Sequence, residues 1–105
     1  MENVVETVRF KLVEGTDTQA FVAAAENTES FIRDFEGFQY RSLSYNADSQ
    51  LWTDIVYWAT MENAVAASEQ FMSFEAAQKL VAFIDPTSLV MAHDYVKMSV
   101  CSSSM

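Results

Sequence analysis

Glycine and proline are nearly absent from this 105-residue chain, which has two of the first and one of the second. That scarcity excludes collagen-like and linker architectures. It also leaves no Gly-rich loop to cradle a phosphate and no Gly-x-Ser-x-Gly elbow for a serine hydrolase. The single cysteine, Cys101, excludes an internal disulfide. It sits in the polar stretch Cys101-Ser102-Ser103-Ser104, where a dangling thiol is expected. The single histidine, His93, and the scattered carboxylates offer no zinc-like spacing and no calcium loop, so no metal is expected. Basic residues are few: six Lys and Arg stand against fifteen Asp and Glu, a net charge of −9. Counterion release needs basic patches, so neither nucleic acid nor an anionic membrane surface is an expected partner. No apolar run approaches the roughly 18 residues of a membrane-spanning helix. The start Met1-Glu2-Asn3 is acidic and does not read as a signal peptide, which points to the cytoplasm.

What the chain does have is apolar bulk. Half of its residues are hydrophobic and 13% are aromatic, enough for one core and too little for two. Residues 1–100 read as one domain and 101–105 as a polar tail.

Val4 to Val13 is β-branched and alternating, with Val8, Phe10 and Leu12 on one face and Thr7, Arg9 and Lys11 on the other; this is a strand ended by Glu14-Gly15. Thr16 and Gln19 form a Thr-x-x-Gln capping box. Phe21, Ala25, Thr28, Ile32 and Phe35 continue as one helical stripe, with Glu29 and Arg33 spaced for an ion pair outside it. Glu36-Gly37 stops that helix. Phe38 to Tyr45 and Leu51 to Ala59 are strands joined through the turn formers Asn46-Ala47-Asp48-Ser49 into an antiparallel hairpin. Thr60 caps a second helix with Ala64, Val65, Ser68, Phe71 and Met72 inward. A restart at Ser73-Phe74-Glu75 bends it before Ala77, Leu80, Val81 and Ile84, and Asp85-Pro86 ends it. Leu89 to Val100 is the fourth strand. The order β-α-β-β-α-β predicts an α+β, ferredoxin-like fold: a four-stranded antiparallel sheet in spatial order 4-1-3-2 with both helices on one face.

Helices on one face leave the other bare, yet both sides of the third and fourth strands are rich in apolar residues. Trp52, Val56 and Trp58 alternate with Leu51, Ile55 and Tyr57, and Val90, Ala92 and Val96 alternate with Leu89, Met91 and Tyr95. A bare apolar sheet predicts a two-fold homodimer with sheet packed on sheet.

Arg9-Phe10-Lys11 through Glu14-Gly15, Glu36-Gly37-Phe38, Asp54-Ile55-Val56-Tyr57-Trp58 and Trp58-Ala59-Thr60-Met61-Glu62 together resemble the dimeric α+β barrel superfamily, and within it the antibiotic biosynthesis monooxygenase-like proteins. The resemblance spans nearly the whole chain and implies a dimeric α+β barrel. It also implies that Trp58 lines a pocket between sheet and helices, with Asp54 where several members carry asparagine. Where many members have a histidine on the second helix, this chain has Ser68, or Ala67. The strand-one polar residue of the haem-degrading members falls on Val8. The Asn-Trp-His set of that branch is therefore missing, and a histidine stands on the fourth strand instead.

Asp54 lies mid-strand beside Trp52 and Val56, where aspartate is disfavoured. Buried, it becomes either a proton-handling group of raised pKa or a structural partner of Arg9, Arg41 or a backbone N–H. His93, in register with Met91 and Tyr95, is a candidate proton carrier or an ordinary strand histidine. Two strand spacings, about 9.6 Å, would separate it from Asp54, a gap for a small substrate to bridge. Trp58, Trp52, Phe10, Tyr40 and Tyr57 can line an aromatic pocket or fill core, and Met61, Met72 and Met91 fill gaps. Two functions are consistent with these residues. One is a cofactor-free monooxygenase or isomerase acting on a hydrophobic, aromatic or quinone-like molecule, with Asp54 and His93 catalytic. The other is a dimer that binds or senses such a ligand without turnover. No cofactor is expected in either.

Overall fold

The period-2 alternation of the first segment becomes strand β1, Val4–Phe10, in a computed structural model that describes residues 2–100. Helix α1, Thr18–Asn27, and the single turn α2, Glu29–Ile32, follow. Strands β2, Phe38–Asn46, and β3, Leu51–Trp58, form the hairpin. Helices α3, Met61–Phe71, and α4, Glu75–Val81, then lead through a 3₁₀ turn at Pro86–Ser88 to β4, Val90–Tyr95. The sheet order is β2-β3-β1-β4 with every neighbouring pair antiparallel, the order expected from the βαββαβ pattern. Cys101 and the rest of 101–105 lie outside the described residues.

Register decides which side chains share a face. Val4, Glu6, Val8 and Phe10 of β1 stand opposite Trp58, Val56, Asp54 and Trp52 of β3, and all of them look toward the helices. His93 and Met91 of β4 join that row opposite Glu6 and Val8. Trp58, Val4 and Val56 pack beneath Ala64 and Ala67 of α3. Phe10 and Trp52 pack with Phe21 and Ala25 of α1 and Leu80 of α4. Phe31 of α2 stacks on Phe74 at a ring separation of 3.9 Å, tying α2 to the start of α4.

Local chemistry sets the element boundaries, and several differ from expectation. The cap of α1 is Asp17, whose carboxylate accepts from the Gln19 N–H at 3.0 Å; the Thr16 hydroxyl instead donates to the Val13 carbonyl. The expected single helix breaks at Thr28, fully buried, whose hydroxyl turns back to the Ala25 carbonyl. β1 stops at Phe10 because the chain beyond it changes partner: Asp85 donates to the Lys11 carbonyl and Val13 to that of Phe83, each at 2.9 Å. β4 likewise ends at Tyr95, short of the expected Val100. Thr60 caps α3 as expected, accepting from Asn63 N–H at 3.0 Å. The buried stripe of α3 is Ala64 and Ala67, while Val65 and Met72 are exposed. Asn46 accepts from the N–H groups of Asp48 and Ser49 in the hairpin turn, and Gln50 closes it at φ 61°.

Gly37, which ends the first helical segment, has φ +84°, and a Cβ there would lie 2.2 Å from Asn63 Oδ1. Only glycine lets α3 begin so close to the approach to β2.

Candidate functional site

Between the sheet and the helices the three core clusters leave a cavity of about 380 Å³. Its walls are mostly apolar: Phe10, Val8, Phe21, Val56, Trp58 and Phe71 among others. Met72, Val81, Leu89 and Met91 line it as well and are 38–47% exposed, so they form its rim between α3, α4 and β4. Met91 looks toward the helix side and still meets solvent, because the helices cover the β4 edge only in part. Four polar side chains reach the cavity: Glu6, Arg41, Asp54 and Ser68.

Arg41 and Asp54 form one unit. Nε donates to Oδ1 at 3.0 Å and Nη2 to Oδ2 at 2.7 Å, a two-pronged pair across neighbouring strands. The remaining nitrogen, Nη1, donates to Thr28 Oγ1 at 2.7 Å and to Glu29 Oε1 at 2.9 Å. The helix break at Thr28 thus supplies a hydroxyl to the guanidinium, and Glu29 pairs with Arg41 instead of the expected Arg33. Burial works against the Arg41 charge, but the hydrogen bonds and charges of Asp54 and then Glu29 outweigh it and raise its pKa. Of the three partners open to Asp54 in the sequence, the fold selects Arg41. Both carboxylate oxygens are occupied by it.

Glu6 is the centre of a second unit. Trp58 Nε1 donates to Glu6 Oε1 at 3.1 Å, and His93 Nε2 lies 3.2 Å from the same oxygen. The Trp58 N–H is therefore used inside the protein, and its ring is what faces the cavity, flanked by Phe35 and Phe38. Sequence reasoning passed over Glu6. The signal was available: it is the one charged residue in the row Val4, Glu6, Val8, Phe10, and that row faces the core.

The structure brings some of the expected site residues together and separates others. Asp54, Trp58 and Phe10 line the cavity. His93 does not line it but touches it through Glu6, and β1 separates it from Asp54. Trp52 packs edge-on to Phe21 at 4.9 Å and stays outside the cavity lining. Tyr40 lies on the opposite face of the sheet, 56% exposed, with its ring 6.0 Å from that of Tyr57. Among the described residues no group of three or more His, Cys, Asp or Glu could hold a metal ion. Among them, too, no helix is long and apolar enough to cross a membrane.

This fold is that of solved antibiotic biosynthesis monooxygenase-type structures. The chain is similar to SnoaB, a cofactor-independent oxygenase from Streptomyces nogalater, with a TM-score of 0.77 and 16% identity over 97% of this chain and 100% of that one. It is similar also to an antibiotic biosynthesis monooxygenase candidate from Bordetella bronchiseptica, with a TM-score of 0.73 and 20% identity over 96% of this chain and 100% of that one. A dimeric ferredoxin-like protein from an uncultured marine organism superposes at TM-score 0.72 with 11% identity, over 98% of this chain and 95% of that one. No family model matches the sequence, and no curated protein matches it.

Proposed function

We propose that the protein is a cofactor-free monooxygenase acting on a hydrophobic, aromatic or quinone-like small molecule held between sheet and helices. The observation that carries this reading is the apolar cavity of about 380 Å³ with a few polar groups converging on it, the usual form of a small-molecule site. The shared fold with a cofactor-independent oxygenase supports it. In such chemistry a phenol loses its proton to a base and the resulting carbanion adds dioxygen. The O–O bond then breaks, leaving a ring carbonyl and water. One oxygen atom enters the product and the other leaves in water; all four electrons come from the substrate, so no external reductant is needed. In this role Trp58 and Phe10 are the aromatic wall, and Asp54 holds Arg41 at the floor. His93 reaches the cavity through Glu6. The open sheet face, where Tyr40 and Val90 are 56% and 64% exposed beside Leu51, Ile55 and Tyr57, packs against a second copy of the chain.

The competing reading is a dimer that binds the ligand without turnover. It is favoured by Ser68, or Ala67, standing where the family resemblance implies a helix histidine, and by the occupation of both Asp54 oxygens by Arg41. Dioxygen uptake measured with a panel of phenols and quinols, with no added cofactor, separates the two. Uptake stoichiometric with quinone formation from the phenols, with no hydrogen peroxide released, supports the monooxygenase; tight binding with no uptake supports the binding protein.

A further inference from the structure

Glu6 faces the cavity from the middle of β1, and its side chain is 13% exposed. One of its oxygens is fully committed: Oε1 meets both Trp58 Nε1 and His93 Nε2. The other, Oε2, has no hydrogen-bond partner among the described residues, and it is not a sealed atom. The cavity's cation does not donate to it: the hydrogen bonds of Arg41 run to Asp54, Thr28 and Glu29. Oε2 is thus an open acceptor at the cavity wall, within reach of a donor group that displaces the solvent there, and a ligand that covers it without donating would leave it unpaired. The two carboxylates of the cavity thus differ in kind: Asp54 is occupied and Glu6 is half free.

Resting on the reading of this cavity as a ligand site, we propose that Glu6 is its specificity-determining acceptor. Oε2 takes a hydrogen bond from a hydroxyl or N–H group on an otherwise apolar ligand. Trp58 and His93 hold Oε1 and fix the carboxylate's direction, so both are positioning residues for this contact. The site selects the neutral, donor-bearing form of an aromatic skeleton. It rejects the O-methylated form, which covers Oε2 without donating to it.

The test uses 1-naphthol and 1-methoxynaphthalene as probes, with binding to the full chain measured by equilibrium dialysis at neutral pH. The wild type should prefer the naphthol by about 10- to 100-fold, the worth of one charge-assisted hydrogen bond. Glu6→Gln should cut that preference several-fold, and Glu6→Met should abolish it while leaving methoxynaphthalene binding as tight as before or tighter. His93→Leu should weaken the preference and His93→Gln restore it, because the glutamine amide can donate to the same oxygen; a purely structural His93 would leave the ratio of the two probes unchanged. Equal binding of both probes by the wild type, or a hydroxyl preference that survives Glu6→Gln unchanged, overturns the assignment of Glu6 while the cavity remains a ligand site. Failure of both probes to bind the wild type and every variant overturns the ligand-site reading and the inference with it.

Discussion

Replacing Asp54 by Asn tests the central ion pair with almost no change of shape. The Arg41 side chain is 7% exposed and that of Asp54 15%, so this pair is shielded from solvent. The variant keeps one acceptor oxygen for the guanidinium but loses the negative charge and one of the two prongs. Arg41 cannot answer by deprotonating: its pKa is raised above an already high value. A group so raised contributes its stabilisation fully below the unfolded-state pKa, and that contribution fades only as pH rises through the folded value. The cation is therefore constant across any practical range, and only its partners change. Breaking a buried pair by removing one member costs about 3–5 kcal/mol. Glu29 still neutralises part of the charge, from a side chain 41% exposed, and the Asn oxygen keeps one bond. The expected loss is therefore about 2–3 kcal/mol, or about 10–20 °C in melting temperature for a domain of this size. Urea denaturation at neutral pH measures it directly. Adding Arg41→Met to the Asn variant should recover part of the loss, because the uncompensated cation is then gone. An Asn variant as stable as the wild type at neutral pH would refute this account and return Asp54 to the role of a proton-handling group.

Three further outcomes are expected. Gly37→Ala forces a left-handed alanine and drives its Cβ into Asn63, which should cost about 2–4 kcal/mol by chemical denaturation, whereas Gly15→Ala, with open space around it, should cost less. Trp58→Phe should fold, bind 1-methoxynaphthalene more weakly because part of the aromatic wall is gone, and show a weakened naphthol preference because Glu6 loses one of its two holders; Trp58→Ala should cost about 3–5 kcal/mol in a thermal or urea melt. Light scattering at micromolar concentration should give about twice the chain mass of 11.8 kDa, and Ile55→Glu on the open face should shift the protein to monomer while leaving the helix-side cavity intact.

Much of the fold was legible because its signals are local. Alternation along β1 and β3 put Asp54, Trp52, Val56 and Trp58 on one face without any knowledge of what that face meets. Asn46 marked the hairpin turn and Thr60 the start of α3, each through a side chain accepting from nearby backbone N–H groups, and at the Ser73-Phe74-Glu75 break the Ser73 hydroxyl donates to the Gln70 carbonyl while Phe74 caps α4 with no side-chain hydrogen bond. Short-range competition between equivalent groups was less legible. Thr16 and Asp17 both suit a cap, and the aspartate has it because the Thr16 hydroxyl turns to Val13. The site itself was decided by tertiary structure, since its contacts join residues far apart in the chain. Arg41, rather than Arg9, meets Asp54 because Arg9 stands on the opposite face of β1, while the break at Thr28 brings two further acceptors to the same guanidinium. Glu29 turns to that buried cation and away from Arg33, a choice that helical spacing alone does not contain. Trp58 borders the cavity and Trp52 packs against Phe21 beside it, although both occupy the same face of one strand. Glu6 becomes a site residue only when β3 and β4 close on either side of β1. Strand alternation says which way a side chain points; the register between strands and the placement of helices over them say what it meets.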